Sequence, residues 1–129
     1  GEGTIHAILK MVKLDKVIED LPEGLQTVLT HSGYPLSNSE SIRLKLACAL
    51  LAQPKILILT EIFDIIGYDH RQDIFDHLCQ DEDMTLIYFS NRLDLRQFKQ
   101  YLHLDWSGHT SFETLDDLRR YDEKGRKKR

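Results

Sequence analysis

The sequence has little of several features that define particular classes of protein. Only two of its 129 residues are cysteines, Cys48 and Cys79, and neither lies in a C-x-x-C pair or a zinc-type spacing. A disulfide scaffold is therefore not indicated, and we expect two buried thiols in a reducing compartment. No run approaches about 18 apolar residues and no signal-like N-terminus is present, so we expect a soluble chain that does not itself span a membrane.

The sequence also has no excess of positive charge. Its 17 basic and 21 acidic residues give a formal net charge of −4, which offers no electrostatic basis for a nucleic-acid partner. Basic residues are concentrated only in residues 124–129. Because like charges in a run repel one another, we expect a frayed, solvated tail over residues 122–129, with contact to anionic lipid as the alternative.

What the sequence does contain is the composition of one folded domain. Its residues are 41% hydrophobic and 29% charged, which favours a modest core over disorder. Apolar residues recur at helical spacings over residues 5–21, and this pattern predicts two short helices, with Asp15 beginning the second. Pro22 and Gly24 end the pattern, so residues 22–35 are predicted to be an irregular connector.

The middle of the chain predicts a helix followed by a strand, helix, strand unit. Ser37, followed three residues later by Glu40, forms a capping box at the start of a strongly apolar helix. Residues 56–59 are a short apolar run typical of a strand buried on both faces, and residues 85–89 are a second one. With residues 71–78 as a crossover helix, the two strands are expected to pair in parallel.

The C-terminal pattern is less regular. It predicts a helix over Leu93–Tyr101, a strand over Leu102–Trp106, a turn at residues 107–108 and a closing helix over Leu115–Tyr121. A metal site is the weaker interpretation of the histidines, because no full set of ligands has a forced position. The residues weighed for that site are His70, Asp73, His77 and Cys79.

Several partial motifs occur in the order found in the second half of the nucleotide-binding domain of an ABC exporter. Residues 21–27 have the Leu-Pro-x-Gly-Leu-x-Thr pattern that ends the family's helical subdomain, and residues 36–40 stand at its Leu-Ser-Gly-Gly-Gln signature. Residues 53–61 resemble the Walker B strand, and residues 90–93 resemble the switch segment Ala-His-Arg-Leu. The chain therefore resembles the C-terminal part of that domain over nearly its whole length.

The resemblance implies ATP and magnesium as ligands of the parent domain, but the polar positions depart from the family pattern. At the signature, Asn38 and Ser39 add side chains where the backbone should approach phosphate, and Glu40 adds a negative charge beside it. In the Walker B pair, Thr60 replaces the aspartate that supports magnesium, while Glu61 matches the general base. The ATP-binding signature positions are Ser37, Asn38, Ser39 and Glu40.

Two further positions depart from the family. The interface loop, Ser-Ala-Leu-Asp in the family, falls on residues 64–67 and has Gly67 in place of its aspartate, for which Asp64 or Asp69 is a nearby substitute. Asn91 replaces the switch histidine and cannot carry its charge. The Gly-rich phosphate loop precedes residue 1 in the family. We therefore expect this chain alone to be inactive as an ATPase and to bind neither ATP nor magnesium tightly.

The predicted fold is α/β, a partial RecA-like P-loop NTPase layer of parallel strands flanked by helices, plus a small N-terminal helical subdomain. The segment over residues 1–35 would end the helical subdomain and include the connector. Residues 36–121 would hold the signature helix, the Walker B and switch strands and the C-terminal helices, and residues 122–129 the basic tail.

The function that the resemblance implies is coupling of ATP binding to transport in a membrane ABC exporter, expected to be bacterial, with weak or no hydrolysis at its own site. The implied partners are the N-terminal half of the domain, a transmembrane domain and a second nucleotide-binding domain at the cytoplasmic face of a membrane. A second copy of the chain is a further option, since an unpaired apolar strand invites pairing. The alternative is a stand-alone, non-catalytic protein-interaction module with the same skeleton.

Overall fold

The N-terminal helices place their apolar residues inward, as the sequence predicts. Helix α1 spans Glu2–Met11 and helix α2 spans Asp15–Glu19. Spacings of three and four residues bring apolar side chains to one face of a helix, where they leave water. The buried residues of this segment are Leu9, Val12, Leu14 and Ile18.

The chain packs as two units. The computed structural model describes residues 2–127; the first unit ends at Ser90 and the second begins at Asn91. The boundaries predicted after residues 35 and 121 separate segments that are defined by the resemblance to the family. The division after Ser90 does not test them, so they stay predictions. Within residues 2–127, no helix has the length and apolar character needed to cross a bilayer.

A buried arginine joins α1 to the next long helix. Helix α3 spans Asn38–Leu51, and its Arg43 is only 6% exposed. The Arg43 guanidinium donates to the carbonyl oxygens of Val12 at 3.1 Å and Lys13 at 3.0 Å, which lie at the end of α1, where helical acceptors lack partners. Burial lowers the pKa of Arg43, and hydrogen bonds of this kind are what make a buried cation tolerable.

The connector before α3 is irregular, as predicted, apart from a short 3-10 helix over Gly24–Gln26. Gly33 adopts a φ of +94°, and a Cβ added to it would lie 2.5 Å from the Ser41 hydroxyl oxygen on α3. Its carbonyl accepts from the Leu36 N–H at 2.9 Å, one residue before the helix cap. Gly33 therefore lets the connector approach α3 more closely than a larger residue would allow.

The predicted parallel unit is present. Strand β1 spans Ile56–Leu59, helix α4 spans Tyr68–Cys79 and strand β2 spans Thr85–Tyr88. The strands pair in parallel and form a two-stranded sheet. The register pairs Ile56 with Thr85, Leu57 with Leu86, Ile58 with Ile87 and Leu59 with Tyr88.

One face of this sheet is covered and the other is exposed. Leu57 and Leu59 are buried on the face where Phe75 of α4 stacks on Tyr88, with ring centroids 4.6 Å apart. The prediction that both faces are buried was wrong, because the single crossover helix covers one face only. The exposed face carries Ile56, Ile58, Ile87 and Phe89, with exposed fractions of 62%, 58%, 41% and 48%.

The second unit is a hairpin with a helix. Strand β3 spans Tyr101–Asp105, strand β4 spans Gly108–Phe112, and the two pair antiparallel. The predicted strand is present but ends at Asp105, and the turn lies at Trp106 and Ser107, one residue earlier than predicted. The Asp105 carboxylate accepts from the Ser107 N–H of this turn at 2.8 Å. Helix α5 spans Leu115–Lys127, and its Tyr121 ring packs against those of His103 and Phe112.

The helix predicted over Leu93–Tyr101 was wrong. This segment has no helical turn, and strand β3 begins at its last residue, Tyr101. Side chains take the carbonyls that a helix would use: the Tyr101 hydroxyl donates to the Leu95 carbonyl at 2.8 Å, and Arg119 Nε donates to the Leu93 carbonyl at 2.7 Å. These hydrogen bonds hold the segment in an irregular conformation in place of a helix.

The closing helix is longer than predicted. It passes Tyr121 and runs through residues 122–127, where the sequence predicts a frayed tail. Asp122 and Arg126 lie one helical turn apart and form an ion pair at 3.2 Å. This pair of opposite charges favours the helix among the basic residues of the segment. The last two residues of the predicted tail, Lys128 and Arg129, lie outside the described residues.

The close approach at Gly33 generates a testable prediction. Gly33→Ala should destabilise the fold by roughly 3 kcal/mol, because it adds left-handed backbone strain to a clash with Ser41. Gly24→Ala is the matched control, since Gly24 also has a positive φ, +54°, but open space around its Cβ; it should cost only about 1 kcal/mol. Urea unfolding followed by circular dichroism measures both.

A second variant separates the two contributions at Gly33. Adding Ser41→Ala to Gly33→Ala removes the hydroxyl that the new Cβ would strike, so part of the lost stability should return. Equal unfolding free energies for the Gly33 and Gly24 variants would contradict the close contact.

Candidate functional site

The signature segment forms the N-terminus of α3. Ser37 is the N-cap residue, and its hydroxyl oxygen accepts from the backbone N–H of Glu40 at 3.1 Å. The Glu40 carboxylate accepts in turn from the backbone N–H of Ser37 at 2.8 Å. This confirms the predicted capping box. Asn38 is exposed and Ser39 is half-buried in the first turn.

The capping box changes what this helix end can bind. A helix N-terminus attracts anions through its free N–H groups and its positive dipole end. Here the Ser37 hydroxyl and the Glu40 carboxylate already satisfy two of those backbone donors. The carboxylate also places a negative charge at this helix end, which opposes binding of phosphate.

The residues after β1 lie at the carboxyl end of the sheet. Thr60 precedes a 3-10 helix over Glu61–Ile65, and its carbonyl accepts from the Phe63 N–H at 3.1 Å. The side chains of Thr60 and Glu61 are exposed, while Phe63 is buried. The chain thus anchors this turn by Phe63 and exposes Thr60 and Glu61 to solvent.

Asp64 is held by two hydroxyl groups from the end of β2. The Tyr88 hydroxyl donates to Asp64 Oδ1, and the Ser90 hydroxyl donates to the same oxygen at 2.6 Å. Burial raises the pKa of the Tyr88 phenol above its ordinary value, and the hydrogen bond to Asp64 raises it further, while Ser90 and Arg71 act in the opposite direction. The structure therefore joins the predicted interface loop to the last residues of the switch strand.

Sequence reasoning missed Tyr88 as a site residue and treated Ser90 only as part of the switch segment. A signal was available, because parallel strands end at the same edge of a sheet, so polar residues that follow them tend to meet. Asp64 follows β1 by five residues, and Tyr88 and Ser90 stand at the end of β2.

The other end of the interface loop is held by α4. Arg71 is 2% exposed, and its Nε donates to the Ile66 carbonyl at 2.8 Å. Gly67 is the N-cap of α4, with a φ of −55° and open space around its Cβ. A Cβ would find space there, so local packing does not require glycine at this position. Asp69 is exposed in the first turn of α4.

The structure brings some predicted site residues together and leaves others apart. Thr60, Glu61 and Asp64 belong to one turn after β1, and Asp64 contacts the end of β2. Asn91 follows Ser90 directly, is exposed, and is the first residue of the second unit.

Asp73 and His77, two of the four residues weighed as metal ligands, have structural partners. The Asp73 carboxylate pairs with Lys13 at 3.3 Å, and the Asp73 carbonyl lies 2.8 Å from His77 Nδ1. Within residues 2–127, no group of three or more His, Cys, Asp or Glu side chains is placed to hold a metal ion. Cys79 is half-buried and Cys48 is exposed, so the expectation of two buried thiols was wrong.

The chain is similar in sequence to transport proteins from fungi and bacteria. It is 37% identical over 96 residues to the ABC-type transporter kk1G of Curvularia clavata, a match of 72% of this chain and 7% of that protein. It is 35% identical over 100 residues to the transport/processing ATP-binding protein ComA of Streptococcus pneumoniae, a match of 74% of this chain and 14% of that protein. The sequence matches no protein-family model.

The fold is similar to that of a solved transporter. A bacterial Atm1-family ABC exporter with ATP bound superposes with a TM-score of 0.77 and 27% identity, over 93% of this chain and 22% of the exporter chain. This chain therefore spans only a small part of each of these proteins, and the similarity extends over most of its own length.

The capping box generates a stability prediction. Ser37→Ala removes a side chain that satisfies a helix N–H, so it should cost about 1 kcal/mol of unfolding free energy. Glu40→Gln keeps an oxygen for the Ser37 N–H and should cost less. Ser39→Ala is the control in the same turn, because Ser39 does not cap the helix. Chemical unfolding of the three variants checks the order; equal losses for Ser37→Ala and Ser39→Ala would count against the cap.

Proposed function

We propose, from the relationship of this chain in sequence and fold to the C-terminal part of the ATP-binding domain of ABC exporters, that it serves as a scaffold in a transporter. In this role it would couple ATP binding elsewhere to movement, with weak or no hydrolysis at its own site. The observation that carries the proposal is the closed capping box of Ser37 and Glu40 at the helix end that the family aligns with phosphate.

The residues at the signature do not fit the phosphates of ATP. The Ser37 hydroxyl already accepts a hydrogen bond from the backbone, and the Glu40 carboxylate lies against the same helix end. A phosphate brought there would meet the like charge of Glu40, and the backbone N–H groups of Ser37 and Glu40 are already hydrogen-bonded. The side chains of Asn38 and Ser39 add bulk where the family has glycine.

The residues after β1 do not fit magnesium, which is the ion that the family uses with ATP. Thr60 offers a neutral hydroxyl, whereas magnesium dehydrates reluctantly and is held through carboxylates. Glu61 stands at the position of the general base. A base acts only on a water molecule that phosphate and metal have positioned, so Glu61 by itself supports no hydrolysis.

The apolar skeleton supports a scaffold role. The signature helix, the parallel strands and their crossover helix are all present, and the fold matches the exporter over 93% of this chain. Departures from the family pattern concentrate in polar positions that would touch nucleotide. Loss of those positions with retention of the skeleton favours a domain that still packs with partners.

The proposal predicts the behaviour of a chimera. The N-terminal half of the ComA ATP-binding domain, joined to this chain, supplies the phosphate loop that precedes residue 1 in the family. We expect hydrolysis of ATP near background, because the substituted positions remain. Restoring the family residues together should raise hydrolysis well above that of the unsubstituted chimera; the changes are Asn38→Gly, Ser39→Gly, Glu40→Gln, Thr60→Asp, Gly67→Asp and Asn91→His.

Two controls accompany the chimera. Unmodified ComA sets the active reference, and the restored chimera with Glu61→Gln tests whether any regained hydrolysis uses the general base. Hydrolysis by the unsubstituted chimera at a rate similar to that of ComA would contradict a silent site.

The exposed sheet face supports a requirement for a partner. Ile56, Ile58, Ile87 and Phe89 form a contiguous apolar surface, and surfaces of this kind mark contacts with other protein. The occupant that we propose is the N-terminal half of the ATP-binding domain. The transmembrane domain and a second ATP-binding domain are the further partners proposed for the assembled transporter.

In the absence of that half, a second copy of this chain should cover the apolar face. Sedimentation velocity of the isolated chain is expected to show association that rises with concentration. Ile58→Lys, which places a charge on the face, should reduce it. Val28→Lys is the control, since Val28 is 86% exposed and lies in the connector. A wild-type chain that stays monomeric at high concentration would count strongly against this prediction.

A further inference from the structure

The interface loop, residues 64–67, is held from two sides by side chains of this chain. On one side, the Tyr88 and Ser90 hydroxyls both donate to Asp64 Oδ1. On the other, Arg71 of α4 donates to the Ile66 carbonyl at 2.8 Å. The loop is thus connected to the end of β2 and to the crossover helix at once.

We infer that Asp64 is a positioning residue that ties the interface loop to the end of β2 through Tyr88 and Ser90, so that the chain itself sets the position of the loop without nucleotide. All of these side chains belong to the first unit. The loop therefore takes this position whether or not the chain acts in transport, and the failure of a silent-site chimera would leave the connection intact.

The geometry makes the connection stiff. The Tyr88 ring stacks on Phe75 with an interplanar angle of 17°, which fixes where its hydroxyl points. Ile66 is 1% exposed and Phe63 is 8% exposed, so the loop backbone is also anchored by apolar side chains. Between Phe63 and Ile66, one carboxylate oxygen of Asp64 accepts hydrogen bonds from both hydroxyl groups.

The energetics favour a connection of measurable strength. Hydrogen bonds to a charged carboxylate are shorter and roughly twice as strong as neutral ones. Asp64, Tyr88 and Ser90 are all partly buried, and partial exclusion of water strengthens such contacts. Breaking one contact while the other partners remain should therefore loosen the loop more than it changes the rest of the fold.

The connection also has a consequence for the switch strand. Ser90 is the last residue of the first unit and immediately precedes Asn91, the position of the switch histidine in the family. The Ser90 hydroxyl donates to Asp64, which is the first residue of the interface loop. A displacement of the chain at Ser90 should therefore also move residues 64–67. Asp64 would thus link the interface loop, residues 64–67, to the switch segment that begins at Ser90.

Hydrogen exchange of the full chain tests the connection. Tyr88→Phe removes one donor and should speed exchange of the backbone amides in residues 61–67 by roughly ten- to a hundredfold. Tyr68→Phe is the matched control, because Tyr68 begins α4 next to the loop and is 45% exposed. In the Tyr68→Phe variant, the backbone amides of residues 61–67 should exchange at the wild-type rate.

A double-mutant cycle tests whether the contacts act through Asp64. If they do, Asp64→Asn combined with Tyr88→Phe should speed loop exchange by much less than the product of the two single effects. A second cycle with Ser90→Ala and Asp64→Asn uses a milder change and serves if Tyr88→Phe disturbs the fold. Independent, multiplicative effects in both cycles would overturn the inference.

A spectroscopic signature separates positioning from general stability. The 13Cζ resonance of Tyr88, assigned by its loss in Tyr88→Phe, should titrate above the ordinary tyrosine range, and its titration should shift towards that range in Asp64→Asn. Titration of Tyr88 within the ordinary tyrosine range in the wild type would overturn the inference, as would an unchanged Tyr88 titration in Asp64→Asn.

Discussion

A pair of parallel strands joined by one crossover helix can be covered by that helix on one face only. Here α4 packs over the Leu57 and Leu59 side of the sheet, through the stack of Phe75 on Tyr88. The opposite face, with Ile58 at its centre, remains exposed. Much of the biology proposed for this chain depends on that constraint, because the uncovered face favours a partner and the same strands direct their polar ends to one edge.

Buried arginines satisfy the backbone where the elements of the first unit meet. Arg43 brings α3 to the carbonyls that end α1, and Arg71 brings α4 to the Ile66 carbonyl in the interface loop. Each guanidinium is nearly inaccessible to water, so each charge must find acceptors within the protein. These contacts connect α1 to α3, and α4 to the candidate site.

Prediction from the sequence succeeded where the signal is local and failed where distant side chains compete. The capping box at Ser37, the two N-terminal helices and the parallel strand pair were all predicted. The helix over Leu93–Tyr101 was not found, because Arg119 takes the Leu93 carbonyl from 26 positions away. The tail prediction was wrong for a local reason, since residues 122–127 continue α5 and Asp122 pairs with Arg126 one helical turn away.

The sequence by itself determined the order of elements, the capped start of α3 and the polar departures at Thr60 and Asn91, because caps, periodicity and residue chemistry act within a few positions along the chain. Only the tertiary structure decided which sheet face is covered and that Asp64 meets Tyr88, 24 positions later. Such contacts depend on where strand ends converge and on what a helix covers. No local pattern specifies either one.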